Sequence, residues 1–346
     1  MSSLPLFRPT LSRLALPIAA SLVAVSLTAC GSEESESDAT AEEATSEEAF
    51  APVTIEHAFG STEITEKPER VATWGWGSPD AAIALGVVPV AMEGLTYGAN
   101  DEGFMPWQAE AFEELGETPT VLTPGEAPPF EEIAAAAPDV ILANYSGITE
   151  ADYAKLSKIA PTVAYPDQPW STPWRDVITT VGEVLGEADE AAEVLADIDA
   201  EVAEAAEEHP EFEGRTIAAV AIDPSAFYVY RGADPRVQFL EDLGFTLAPS
   251  VDELDTEEST FYYTISTENV DKLTSDVLLS YVADEKRAQE IADDPTYNTM
   301  EQFADGRVAT VAGEAIVSSV SPPTALSLTY SLDTFVEALA EAIPAS

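Results

Sequence analysis

A thirteen-residue pattern occurs twice in this chain, and it limits the available folds more than any other feature. F-E-E-I-A-A-A-A-P-D-V-I-L at 130–142 aligns with T-E-N-V-D-K-L-T-S-D-V-L-L at 267–279, and Glu131 precedes Asp139 by the same eight residues that separate Glu268 from Asp276. Each copy reads as a short helix running into a buried strand, because scattered apolar residues give way to a bounded run of Val, Ile and Leu. One such unit in each half implies two similar lobes.

The surrounding pattern agrees. In the first half, 70–74 reads as a strand, and Ser78-Pro79-Asp80 then opens a helix, with Pro at its first position, that stops at Leu85-Gly86. A second short strand is expected over 87–91, a helix over 130–137, a strand over 139–143, a helix near 150–158 and a strand over 162–165. In the second half, 216–222 is a strand, a helix ends at Leu243-Gly244, and 276–280 is another strand. Strands alternating with helices imply parallel sheets covered on both faces. Between the halves, 188–208 holds neither Gly nor Pro, and Ala191, Leu195, Ile198, Val202 and Ala205 form one apolar stripe among acids. At 1.5 Å per residue this helix is about 31 Å long, enough to bridge two domains, although a surface helix of one domain reads the same way. A last amphipathic helix carries Leu332, Phe335, Val336, Leu339 and Ile343. The expected fold is α/β: two similar parallel-sheet, Rossmann-like lobes joined by one long α-helix, with a ligand cleft between them.

The first 29 residues read as an export signal. Arg8 and Arg13 precede an apolar run over 14–27 that is shorter than the roughly 20 residues needed to cross a bilayer and is interrupted by Pro17. The run ends in Leu27-Thr28-Ala29-Cys30. These four residues resemble a bacterial lipobox, which implies cleavage before Cys30 and its lipidation; an ordinary secretory signal is the alternative. The segment 30–50 then carries eight acids and no base, a composition that cannot offset its ordering entropy, and reads as a disordered tether. The body divides into an N-terminal lobe over 51–170, connecting helices over 171–213 and a C-terminal lobe with the final helix over 214–346.

Composition excludes several functions. The 346 residues hold 64 Asp and Glu against 14 Lys and Arg, and a net charge of −50 repels nucleic acid. A single Cys and two His leave no Cys/His cluster for structural zinc and no thiol pair for redox work. No nucleophile elbow, phosphate-binding glycine loop or H-E-x-x-H metal motif occurs. Asn144-Tyr145-Ser146 matches a glycosylation sequon, which a lipobox of bacterial type makes a coincidence. Aromatic placement says more, because ligands of open α/β sheets bind beyond the carboxyl ends of the strands. Trp74 and Trp76 follow the first strand and, two apart in extended chain, face the same way, with Gly75 and Gly77 allowing a turn. Tyr145 follows the third strand, Trp170, Trp174 and Arg175 the fourth, and Tyr228, Tyr230 and Arg231 the first strand of the second half. Tyr97, Trp107, Tyr263, Ser318 and Ser319 complete the candidate ligand contacts. Each alone is also ordinary core filler, and Arg231 reads equally as one half of a surface ion pair; as a group they outline an aromatic cleft.

The lipobox, the acidic tether, V-T-I-E-H-A-F-G-S-T-E-I-T-E-K-P-E-R-V-A (53–72), A-L-G-V-V-P-V (84–90), F-E-E-I…A-P-D-V-I-L (130–142) and K-I-A-P-T-V (158–163) occur in that order. The chain thereby resembles the substrate-binding lipoproteins of iron-siderophore ABC importers, a family with a rigid helix between two lobes that also includes cobalamin and haem binders. The resemblance implies a ferric siderophore as ligand, with iron held by the siderophore and no metal or cofactor held by the protein. It also implies a permease with its ATPase as partner, a monomer at the outer face of the cytoplasmic membrane, a largely preformed cleft and no enzymatic activity. Glu131 and Glu268 match the family's permease-docking acids, positions that the helix dipole also favours. Arg231 in Y-V-Y-R-G is similar to a ligand-contacting Arg. Only Arg175, Arg231 and Arg236 are available to a cleft that in binders of anionic chelates often holds several Arg, so the reading leans to a neutral or cationic hydroxamate chelate. Neither His57 nor His209 sits at a cleft strand end, but tyrosines can ligate haem iron. A cobalamin or haem receptor, a cell-surface α/β hydrolase and a sensor or adhesion module remain the alternatives.

Overall fold

The computed structural model describes residues 50–344; the export signal, Cys30 and the tether up to residue 49 lie outside the described residues. Among the described residues no helix is long and apolar enough to cross a membrane. The chain opens with an antiparallel hairpin, β1 (Val53–His57) and β2 (Gly60–Ile64). Five short strands follow, β3 (Val71–Thr73), β4 (Ala91–Glu93), β5 (Thr120–Leu122), β6 (Val140–Ala143) and β7 (Thr162–Ala164), in a parallel sheet ordered β5-β4-β3-β6-β7. The chain winds outward from β3 in both directions, so the loops leaving β3 and β6 part at a crevice along the carboxyl edge. Every residue of β3, β6 and β7 is buried, which is why these strands read as continuous apolar runs. The strand expected over 87–91 begins only at Ala91, which pairs with Ala72. Pro89 has no N–H to give a ladder.

The second sheet comprises β8 (Thr216–Ile222), β9 (Phe227–Tyr230), β10 (Thr246–Leu247), β11 (Tyr262–Ile265), β12 (Val277–Val282) and β13 (Val308–Ala312), ordered β11-β9-β8-β12-β13 with β10 also on β8. Here the structure corrects an expectation: the sheet is mixed, because β9 runs antiparallel to β8 and β11 antiparallel to β9. The connection over 223–226 is too short for a crossover. It is a tight turn in which the Asp223 carboxylate accepts from the Ser225 backbone N–H at 2.9 Å and from its hydroxyl at 2.5 Å. The two copies of the repeat also differ. Phe130–Ala136 is an α-helix, whereas Thr267–Lys272 is a 3₁₀ segment. Where the first copy has alanines, the best helix formers, the second has Asp271 and Lys272, and Asn269 spends its side chain on the Ser266 hydroxyl at 3.0 Å.

Between the sheets run the helix Trp174–Leu185 and the connecting helix Ala188–Glu208, the latter with the predicted span. Ala191, Ile198 and Val202 are buried, Leu195 and Ala205 pack beside them, and all of the helix's acids are exposed. The two helices are so close at Gly182 that a Cβ there would overlap that of Ala191. One apolar cluster runs from Val71 and Val140 of the first sheet through Val181, Ile198 and Val202. It continues to Ile217, Leu279 and Val311 of the second sheet and to Phe335 and Leu339 of the final helix, Ser327–Glu341. Arg175 reinforces this spine. It pairs with Asp199 of the connecting helix at 2.6 Å and with Asp242, at the end of the helix Pro235–Asp242, at 2.8 Å.

A shared core predicts joint unfolding. Ile198→Ala is expected to cost about 2–5 kcal/mol while leaving one cooperative transition. Denaturant titration followed by circular dichroism and tryptophan fluorescence checks this, and two separated transitions would contradict it.

Candidate functional site

The site forms where loops from the carboxyl edges of both sheets meet. After β3 the chain turns through Gly75 (φ 94°) and Gly77 (φ 76°). A Cβ on Gly75 would overlap the Tyr145 carbonyl, so glycine is what lets the loops after β3 and β6 touch. The same turn separates two tryptophans expected on one side. Trp74 packs inside the first lobe with Ala72, Leu122 and Ile141, so it belongs to the core and not to the cleft wall. Trp76 faces the gap between the lobes, and its indole N–H donates to the Pro322 carbonyl at 3.0 Å. Tyr145, 4% exposed, meets the edge of Trp170 at 5.8 Å between centroids. Trp174, Thr172, Val177, Pro235 and residues 322–325 close the remaining slot to about 10 Å³, room for roughly one water.

The second lobe supplies a polar floor. Along β9, Phe227 and Val229 enter the core of their own lobe, whereas Tyr228 and Tyr230 point to the opposite face. The Tyr230 ring lies 6.0 Å from that of Tyr281 on β12 and 3.9 Å beneath the Arg236 guanidinium. Arg236, only 8% exposed, sits in the first turn of the helix Pro235–Asp242 and beside Asp234, the fully buried cap of that helix. Its Nε is 2.7 Å from Oδ1 of Asp234, but the N–H does not point at that oxygen, so Nε lacks a hydrogen-bond partner. Asp234 Oδ2, the Tyr281 hydroxyl and Trp174 Nε1 are also buried without a partner. Burial pushes the phenols of Tyr145, Tyr230 and Tyr281 upward and keeps them neutral. Burial also raises the Asp234 carboxyl, against the pull of Arg236. For Arg236 burial acts downward, but the Asp234 carboxylate beside it acts upward and holds the guanidinium charged. The floor thus carries one cation and one anion side by side.

Tyr97 and Trp170 form an exposed rim, at 45% and 37%. The Tyr97 carbonyl accepts from the Ser318 hydroxyl at 3.4 Å, and the ring borders a groove of about 420 Å³ along the ends of β8 and β12. Burial, and then Glu314, Tyr230 and Asp284, push its phenol up.

Five other candidates lie elsewhere. Trp107 donates to Asp80 at 2.8 Å, Tyr263 donates to the Val251 carbonyl at 2.8 Å, and Ser319 donates to the Ile316 carbonyl at 2.6 Å, all inside the packed body. Arg175 is the brace described above. Arg231 pairs with Asp255 at 2.7 Å and donates to the Ser259 and Thr260 carbonyls at 2.6 and 3.4 Å, tying down its own loop. The arginine beside Tyr230 on the floor is Arg236, while the Thr260 hydroxyl of the loop that Arg231 ties donates to the Pro169 carbonyl at 3.2 Å. Sequence reasoning missed Tyr281 and Asp234. The strand-end rule that picked Tyr145 also fits Tyr281, but β12 runs two residues beyond the expected strand. His57 bonds Thr62 within the hairpin at 3.0 Å, His209 pairs with Glu211, and the sequon residue Asn144 is buried. Among the described residues no cluster of three or more His, Cys, Asp or Glu has metal-holding geometry. Glu131 and Glu268 are exposed in the first turns of the segments that lead into β6 and β12.

Two α/β lobes on a common spine, with aromatic and charged side chains converging on the gap, define a two-lobed solute-binding protein. The chain belongs to the periplasmic binding protein family, whose model matches residues 71–315. It is 31% identical over 208 residues to the ferric enterobactin-binding periplasmic protein FepB of Escherichia coli O6:H1, covering 57% of this chain and 62% of that protein's length. It is 27% identical over 243 residues to the probable siderophore-binding lipoprotein YfiY of Bacillus subtilis, covering 68% of this chain and 71% of that protein. Among solved structures, Streptococcus pneumoniae TIGR4 PiaA in complex with ferrichrome superposes with a TM-score of 0.77 at 37% identity, covering 84% of this chain and 98% of that one. A periplasmic solute binding protein from Mycobacterium smegmatis gives 0.73 at 26% identity, covering 85% and 99%.

Arg236→Gln leaves Asp234 as an uncompensated buried carboxylate and is expected to cost about 3–5 kcal/mol. The double variant Asp234→Asn/Arg236→Gln removes both charges and is expected to recover most of that loss. Chemical denaturation of the two variants decides; equal costs would show that the charge pair does not hold the floor.

Proposed function

We propose that this protein is an extracytoplasmic receptor that captures a ferric siderophore of the hydroxamate type between its lobes and delivers it to an ABC-importer permease. The observation that carries this reading is the floor: Arg236 lies on Tyr230 beside the Tyr145 and Tyr281 phenols, on the inner face of the second sheet. Phenols and a guanidinium donate to the oxygens of a chelate, and indoles pack on its apolar arms. The likeness to ferrichrome-bound PiaA supports the ligand class. Charge supports it independently. Asp234 already balances Arg236, so the floor has no positive charge to spare for a polyanion. The body outside the signal and tether carries 56 acids against 12 bases, which slows the approach of an anionic chelate.

The iron is cargo, coordinated by the siderophore, and the protein contributes no metal ligand, no cofactor and no bond-making step. Lipidated Cys30 anchors a monomer at the outer face of the cytoplasmic membrane through the acidic tether. Glu131 and Glu268 meet the permease, one from each lobe.

Tryptophan fluorescence titration with ferrichrome, a ferric tris-catecholate, haem and cobalamin tests the ligand class. Saturable quenching by the hydroxamate chelate is expected, together with at least about tenfold weaker binding by Trp76→Ala. Saturation by the catecholate, haem or cobalamin and not by ferrichrome would overturn the assignment. Reversing both Glu131 and Glu268 to Lys is expected to abolish uptake of radiolabelled iron chelate by cells while leaving affinity in solution unchanged.

A further inference from the structure

We propose that Asp80, which lies outside the ligand cleft, is a positioning residue: through Thr324 it latches the second lobe's 322–325 segment onto the first lobe and so sets the shape of one cleft wall. The ligand part of this inference rests on the cleft reading above; the latch itself does not. Asp80 sits in the first turn of the helix Ser78–Ala84 and is 1% exposed. A carboxylate so deeply buried must be hydrogen-bonded on all sides. Its Oδ1 accepts from Gln108 Nε2 at 2.5 Å, and its Oδ2 accepts from Trp107 Nε1 at 2.8 Å. Both donors come from the helix Pro106–Leu115 of the same lobe. The third donor, on Oδ2, is the hydroxyl of Thr324, which arrives from the far end of the chain.

The hydroxyl of Thr324 has a fixed direction. It accepts from the Ser327 backbone N–H at 3.1 Å, so its proton is free to go to Asp80. The Thr324 N–H donates to the Ser327 hydroxyl at 2.8 Å, which in turn donates to the Ser319 carbonyl at 2.5 Å. The turn holding Thr324 is thereby tied to its own lobe while its side chain reaches into the other. The neighbouring positions are held as well. Pro322 accepts from Trp76, and Leu326 packs against Ile83, Met92, Phe104 and Phe112. Residues 322–325 face Trp76, Tyr145 and Trp174 across the slot. Asp80 makes a buried polar contact at the middle of this seam, and of its partners only Thr324 also lines the slot. Burial pushes the carboxyl up, and the hydrogen bonds from Thr324, Gln108 and Trp107 pull it down.

Thr324→Val removes the donor and keeps the side chain's shape, and Thr324→Ser keeps the hydroxyl. Thr324→Val is expected to weaken ferrichrome binding about tenfold, in line with loss of a hydrogen bond to a charged group, and Thr324→Ser is expected to restore it. Independently of any ligand, hydrogen–deuterium exchange at the amides of 324–327 is expected to quicken in Thr324→Val, return in Thr324→Ser and stay unchanged over 106–115. Asp80→Asn combined with Thr324→Val is expected to loosen 324–327 little further than Thr324→Val alone. Wild-type exchange in Thr324→Val, or no rescue by Thr324→Ser, overturns the latch. If no chelate binds the wild-type protein, the ligand reading fails, and the exchange comparison still decides the latch. Altered exchange with unaltered ferrichrome affinity overturns the claim that the latch shapes the cleft.

Discussion

The structure depends on one constraint: each sheet has a core of its own on one face, but their other faces share a single core. Valines from the first sheet, the buried stripe of the connecting helix and the inner face of the second sheet belong to one apolar cluster. Pulling the lobes apart would expose that surface at roughly 25 cal/mol per Å². Arg175, bonded to the connecting helix and to the helix Pro235–Asp242, reinforces the same geometry. The carboxyl edges of the sheets are therefore held at a set separation. The slot between them has room for about one water, so a chelate must displace the side chains that close it.

Those side chains show how a very acidic protein keeps a polar, nearly neutral pocket. Asp234 has two tasks. It caps the helix Pro235–Asp242 by accepting from the Arg236 backbone N–H at 2.9 Å, and it neutralises the guanidinium of that same residue. The aromatic ring of Tyr230 and the surrounding phenols then give the guanidinium polarizable neighbours. Buried charge pairs add little net stability, so the pair is better understood as a fixed array of donors than as a source of fold energy.

Much of the fold was legible from the sequence, and the reason is physical. The connecting helix announced itself through 21 residues without Gly or Pro and a single apolar stripe, and β8 through an unbroken apolar run. Local period is enough for such elements. The cleft depended on features that local period does not carry. A strand pattern cannot tell Trp74 from Trp76, because the separation arises from two left-handed glycines and from contact with a loop seventy residues away. Position after a strand favours Arg231 over Arg236. Only the tight turn at Asp223, which sends β9 backwards, makes Arg231 a loop tie and brings Arg236 onto the floor. The strand end at Tyr281 needed one step more than the pattern supplied.

The unequal copies of the repeat have a consequence for symmetry. One acid is offered from a regular α-helical turn and the other from a tighter 3₁₀ turn, beneath sheets of different strand polarity. The two shoulders of the molecule are therefore not interchangeable. A partner assembled from two identical halves would meet two distinct handholds, and rotating this protein by half a turn would not give an equivalent fit.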